Sequence, residues 1–90
     1  MAWKVRLSDR ARKDLKKLDR QVATRILRFF HERIEGGGKD PRSIGAALVG
    51  SELGEFWKYR IGDWRAVCSI QDDVVVVLVL TIQNRNQVYK

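Results

Sequence analysis

Residues 2–7 alternate, with Trp3, Val5 and Leu7 to one side and Lys4 and Arg6 to the other. That period predicts a strand with one face on a core. Ser8 is placed to cap a helix over 9–18, where Ala11, Leu15 and Leu18 share one face. Asp19 can cap a second helix of about 20–35, with an apolar stripe of Val22, Ile26, Leu27, Phe29, Phe30 and Ile34. The run Gly36-Gly37-Gly38 ends that helix, and residues 36–53, with Pro41, Gly45 and Gly50, read as a loop.

Residues 54–70 then read as a β-hairpin. Two runs rich in aromatic and β-branched residues flank Gly62-Asp63, and glycine supplies the positive φ that a tight hairpin turn needs. A two-residue loop pairs Ile61 with Trp64, Arg60 with Arg65, Tyr59 with Ala66, Lys58 with Val67 and Trp57 with Cys68. Because side chains alternate, Trp57, Tyr59, Ile61, Trp64, Ala66 and Cys68 form a core face. Lys58, Arg60 and Arg65 fall together on the other. Like charges directly opposed weaken a strand pair by a sizeable part of about 0.2–1 kcal/mol. Either solvent screens them or an anion sits there.

Gln71-Asp72-Asp73 makes a second turn. Residues 74–82 are apolar on both faces, as in a strand covered on both sides. That places this strand at the centre of the sheet, beside the second hairpin strand and the N-terminal strand. The expected architecture is a single α+β domain over 1–90, ordered β-α-α-β-β-β. A mainly antiparallel four-stranded sheet carries an αα-hairpin on one face. The basic hairpin face lies on the other, and the C-terminal segment returns near it.

Composition narrows the chemistry. A formal charge of +7 on 90 residues favours polyanionic partners, nucleic acid or an acidic protein. Cys68 is the sole cysteine, so no internal disulfide forms; its place on the apolar face makes it a buried thiol, and a reducing cytoplasm is expected. The N-terminus lacks a signal-peptide core, and the run 74–80 is too short to cross a bilayer, so no membrane association is expected. With one histidine, His31, and scattered carboxylates, no usual metal set or hydrolase triad can be assembled, and no cofactor is expected.

What remains is Lys58, Arg60, Arg65, Arg85 and Tyr89, which can act on a phosphodiester. RNA carries its own nucleophile, the 2′-hydroxyl. Cleavage by that route needs a base, cations for the charge developing at phosphorus, and an acid for the leaving oxygen. Surrounding cations lower a tyrosine pKa. From the residues alone, the plainer reading of Tyr89 is a terminal aromatic tucked against the sheet.

The order of elements, with Lys58-x-Arg60-x-Gly62-Asp63-Trp64-Arg65 and Arg85-x-x-Val88-Tyr89, resembles the RelE/ParE toxin superfamily of type II toxin–antitoxin modules, and the RelE branch most. The likeness covers essentially the whole chain. It implies a microbial-ribonuclease-like fold. It also implies a metal-independent endoribonuclease, an mRNA interferase that enters the 30S A site, cuts codons by 2′-hydroxyl attack and so inhibits translation. By this resemblance Arg65 holds the scissile phosphate, Arg85 assists as cation or acid, Tyr89 is general base or stacking partner, and Lys58 stabilises charge. Arg60 adds to the basic field. Phe56 stands where the RelE pattern has a second lysine, which removes one charge or supplies a stacking face. Lys13, Lys16 and Lys17 on the first helix are expected to meet ribosomal RNA phosphates. The implied partners are a cognate RelB-type antitoxin, the ribosome and mRNA, with operator DNA reached only through the antitoxin. The alternatives are a ParE-like toxin that inhibits DNA gyrase without cutting RNA, and a non-catalytic basic binding module.

Overall fold

The computed structural model describes residues 2–38, 40–47 and 56–84. The first strand, β1 (Lys4–Leu7), passes through Ser8 into α1 (Asp9–Lys16). Ser8 does two jobs at this junction. Its Oγ accepts from the Ala11 amide at 3.0 Å, satisfying one orphan donor of the helix, and donates to the Leu80 carbonyl at 2.8 Å. The helix is two residues shorter than its apolar spacing suggests, because Lys17 closes it as C-cap.

The second helix, α2 (Arg20–Phe29), starts at Asp19 as expected, although the Asp19 side chain makes no capping bond. It continues not as α-helix but as a π-helical segment, Phe30–Glu35. Ile26, Phe30 and Ile34 are buried at a spacing of four. Leu27, one residue round from Ile26, is turned off that line and is 45% exposed, so the expected stripe is narrower than drawn. The wide segment also delivers Glu35 to the sheet edge. Its Oε2 accepts the Val5 amide at 3.0 Å, a donor that points away from the neighbouring strand, and its Oε1 lies 3.2 Å from His31 Nδ1. These bonds, that of Val5 first, hold the Glu35 carboxyl below its ordinary value.

Among the described residues five strands, not four, make the sheet: β1, β2 (Ala46–Ala47), β3 (Phe56–Ile61), β4 (Trp64–Gln71) and β5 (Val76–Asn84), in the order β1-β5-β4-β3-β2. The addition is β2, two exposed alanines paired with Lys58 and Trp57, inside the stretch read as loop. Of these strand pairs, β1 and β5 run parallel and the others antiparallel. The β3–β4 hairpin has the expected register, from Ile61–Trp64 to Trp57–Cys68, around Gly62 at φ +60°. As expected, β5 is an inner strand beside β4 and β1, though it begins at Val76 and leaves Val74 exposed. One departure matters. Cys68 faces Val79 while Val67 faces Thr81, so Leu80 is an extra residue, a β-bulge.

Both helices pack on one face. Ala11 and Leu15 from α1, and Ile26, Phe30 and Ile34 from the second helical stretch, meet Tyr59, Ala66, Cys68, Val77 and Val79. Tyr59 is fully buried between the Phe29 and Phe30 rings, and its hydroxyl donates to the Pro41 carbonyl at 2.8 Å. Burial drives its pKa well above the ordinary phenol value, and that of Cys68 likewise.

A depressed carboxyl pKa stabilises the fold above the group's ordinary value, near 4.5 for Glu35, and that contribution is lost as pH falls through the folded value. Glu35→Gln keeps an acceptor for the Val5 amide and removes the titration. Urea midpoints measured from about pH 6 down to about pH 3 will fall less steeply for Glu35→Gln than for the wild type. Parallel curves would refute this role.

Candidate functional site

The face of the sheet turned away from the helices carries the cations. Lys58 and Arg60 on β3 and Arg65 on β4 alternate with the buried Tyr59, Ile61 and Ala66, so the core that seats one face fixes the other. Arg60 and Arg65 are direct cross-strand partners. Lys58 and Arg65 are half-buried and Arg60 is exposed. Together with Ile44, Gly45, Ala46 and Trp64 they line a cleft of about 470 Å³. The chain over Gly45 and β2 makes its second wall. That wall approaches closely because residue 45 is glycine: a Cβ there would collide with Cδ1 and Nε1 of Trp57 and lie 2.7 Å from Cε1 of Tyr59.

Arg65 is the best-held cation. Its Nη2 donates to Gln83 Oε1 at 3.2 Å. Its Nε is buried and, among the described residues, has no hydrogen-bond partner. A buried donor without an acceptor costs about 1–3 kcal/mol. No ion pair among the described residues involves Lys58, Arg60 or Arg65. The cleft is therefore a cationic, half-desolvated wall, chemistry that suits a phosphate.

The other expected residues divide. Phe56, opposite Ser69 and two positions before Lys58, shares the cationic face and is half-buried. Lys13, Lys16 and Lys17 are exposed on α1, on the helix side, and are not brought to the cleft. Lys17 lines a separate groove of about 550 Å³ with Trp64, Gln83 and Asn84. Arg85 and Tyr89 lie outside the described residues. The described chain ends at Asn84, opposite Trp64 at the rim of the cleft. Gln83 is the site residue that sequence reasoning missed. It reaches Arg65 only because of the bulge at Leu80, and an apolar run with no clear period hides that bulge.

The fold has known counterparts. The family described as the ParE toxin of the type II toxin–antitoxin system, parDE, matches residues 5–89, and the chain belongs to that family. No curated protein matches the chain in sequence. Among solved structures, the toxin–antitoxin complex RelBE2 from Mycobacterium tuberculosis holds a chain 26% identical, with a TM-score of 0.81, covering 94% of this chain and 100% of that one. The intact RelBE complex of E. coli matches at 22% identity and a TM-score of 0.70, over 92% of this chain and 96% of that one. The E. coli DinJ–YafQ toxin–antitoxin complex matches at 13% identity and a TM-score of 0.71, over the full length of both. The last two similarities establish the fold.

The opposed arginines yield a prediction. Arg60→Thr removes a like-charge pair and will stabilise the chain by up to about 0.5 kcal/mol at low salt, a gain that shrinks as salt screens the pair. Denaturant unfolding at two ionic strengths measures it. A loss of stability at low salt would contradict the electrostatic reading.

Proposed function

We propose that this toxin is a RelE-type mRNA interferase, a single-domain endoribonuclease that cuts A-site codons on cytoplasmic ribosomes without a metal or other cofactor. The observation that carries this reading is the cleft of Lys58, Arg60 and Arg65, where the described residues place no carboxylate in an ion pair with any of the three and no acceptor on the buried Nε of Arg65.

In this reading the 2′-oxygen attacks phosphorus and its proton passes to Tyr89, whose phenolate form the surrounding cations favour. Arg65 holds the non-bridging oxygens and Lys58 stabilises the charge that grows on them. The bond to the 5′-oxygen breaks, and that oxygen takes up a proton, the role the family pattern gives Arg85. The products are a 2′,3′-cyclic phosphate and a 5′-hydroxyl. Phe56 stacks on a base. Lys13, Lys16 and Lys17, on the far side of the sheet, meet ribosomal RNA phosphates, and Arg60 strengthens the field at the cleft. The structural relatives from M. tuberculosis and E. coli are complexes of toxin with antitoxin. By extension, a RelB-type antitoxin with an acidic segment covers the cationic face here, and operator DNA is met only through that partner.

A second reading has one observation in its favour: the family description carries the name ParE. ParE-like toxins share the fold and inhibit DNA gyrase. That reading gives the phosphate-ready cleft no chemical task.

The test is incubation with ribosomes programmed with a defined A-site codon, followed by primer extension. A discrete, ribosome-dependent cut is expected, with Arg65→Ala lowering its rate at least ~100-fold and Tyr89→Phe impairing it as well. Growth arrest without any cut, accompanied by inhibited gyrase supercoiling, would replace this reading with the second.

A further inference from the structure

We propose that Gln83 is a positioning residue for Arg65, and that Asp14, on the helix side of the sheet, sets Gln83 in place through the bulge in β5. The consequence for cleavage rests on the reading that Arg65 holds the phosphate; the structural linkage does not.

Cross-strand partners share a face. Counted along an unbroken ladder from the Cys68–Val79 pair, Arg65 would stand opposite Ile82 and Ala66 opposite Thr81. An apolar side chain would then lie against the guanidinium and a hydroxyl would enter the core. The extra residue, Leu80, shifts the pairing by one. Ala66 now faces Ile82, which is buried, and Arg65 faces Gln83, whose Oε1 accepts from Nη2. A one-residue slip exchanges the faces of every residue beyond it, so the identity of the group beside Arg65 depends on whether the bulge is held.

What holds it lies on the outer edge of β5. Its parallel neighbour β1 ends at the Leu7–Val79 pair, so on that edge no strand among the described residues lies beside the next residues of β5. Side chains and backbone at the start of the chain take over. The Ser8 amide donates to the Val79 carbonyl at 2.9 Å and its hydroxyl to the Leu80 carbonyl at 2.8 Å. Asp14 then receives two donors from the residues that follow the bulge. Its Oδ2 accepts the Thr81 hydroxyl at 2.8 Å and the Ile82 amide at 3.0 Å. Its Oδ1 accepts from Arg10 Nε at 3.1 Å. The Asp14 side chain is only 13% exposed. Burial raises its pKa, but the Ile82, Thr81 and Arg10 bonds together outweigh that and keep the group ionised below the ordinary range. Fixing Thr81 and Ile82 from the edge fixes the direction of Gln83, the next residue.

The test reads Arg65 itself. In ¹⁵N-labelled protein the Arg65 Nε–H signal, identified by its loss in Arg65→Lys, reports how well that guanidinium is held. Its exchange with water should be slow beside that of the exposed Arg60. Gln83→Leu removes the acceptor and is expected to speed Arg65 exchange at least ~5-fold, and Asp14→Ala is expected to do the same from the far side of the sheet. Asp14→Asn is expected to restore wild-type exchange, because one oxygen carries both sheet bonds. If Asp14→Ala does not fold, Thr81→Val, which removes one of the two bonds, is expected to move the signal the same way by less.

Cleavage on programmed ribosomes, run on the same variants, separates the two claims. Rates that fall with Arg65 mobility support both. Faster Arg65 exchange in a protein that cuts no RNA upholds the linkage and removes the proposed activity. Wild-type Arg65 exchange in folded Gln83→Leu, or in folded Asp14→Ala or Thr81→Val, overturns the linkage whatever the cleavage result.

Discussion

The register of the β3–β4 hairpin is the constraint from which the rest follows. With Gly62 at positive φ, the two strands can meet in one phase, and a period of two then assigns every side chain to a face. Tyr59, Ile61, Ala66 and Cys68 go to the helices, and Lys58, Arg60 and Arg65 are driven together on the other side. Burying one large apolar side chain contributes about 1.5–3 kcal/mol, whereas opposing two arginines costs at most about 1 kcal/mol. The core therefore dictates the pairing, and the electrostatic tension of the open face is tolerated rather than relieved.

The acidic residues reinforce that tension by where they are placed. Glu35 covers the Val5 amide on the edge of β1, and Asp14 covers the Ile82 amide where β5 outruns β1. Asp72 takes both Nη atoms of Arg42, at 2.9 and 2.7 Å, and so ties the turn before β2 to the turn before β5. Each carboxylate satisfies an exposed edge or fastens a loop. None of the three neutralises Lys58, Arg60 or Arg65. In a chain of net charge +7 this leaves a half-buried cationic cleft with donors to offer.

Much of this was legible in the sequence. The hairpin announced its register because a glycine turn stood between two alternating runs, and the basic face followed from that alternation. Ser8 announced the start of α1. The parts that stayed hidden share a physical cause, which is the lack of a local pattern. Strand β2 is two alanines with no period to read. The apolar residues of β5 are so continuous that a bulge at Leu80 leaves no trace, and Gln83 could not be matched to Arg65. Leu27 looked like core because it neighbours Ile26, yet the spacing of Ile26, Phe30 and Ile34 had already filled the line facing the sheet. The roles proposed for Arg85 and Tyr89 rest on the sequence and the family resemblance alone, and a fold shared by ribonuclease-type and gyrase-directed toxins does not choose between those activities.

In the proposed reaction the protein supplies cations and proton transfer while RNA supplies the nucleophile. One substitution in the substrate addresses it. An mRNA carrying a single 2′-deoxynucleotide at the mapped cleavage position is placed in the ribosomal A site, beside the all-ribose message. The cut is expected to disappear at that position while the all-ribose message is still cleaved to a 2′,3′-cyclic phosphate. A cut that persists at the deoxy position would show that the nucleophile is not the 2′-hydroxyl, and the role given to the Arg65 cleft would have to be abandoned.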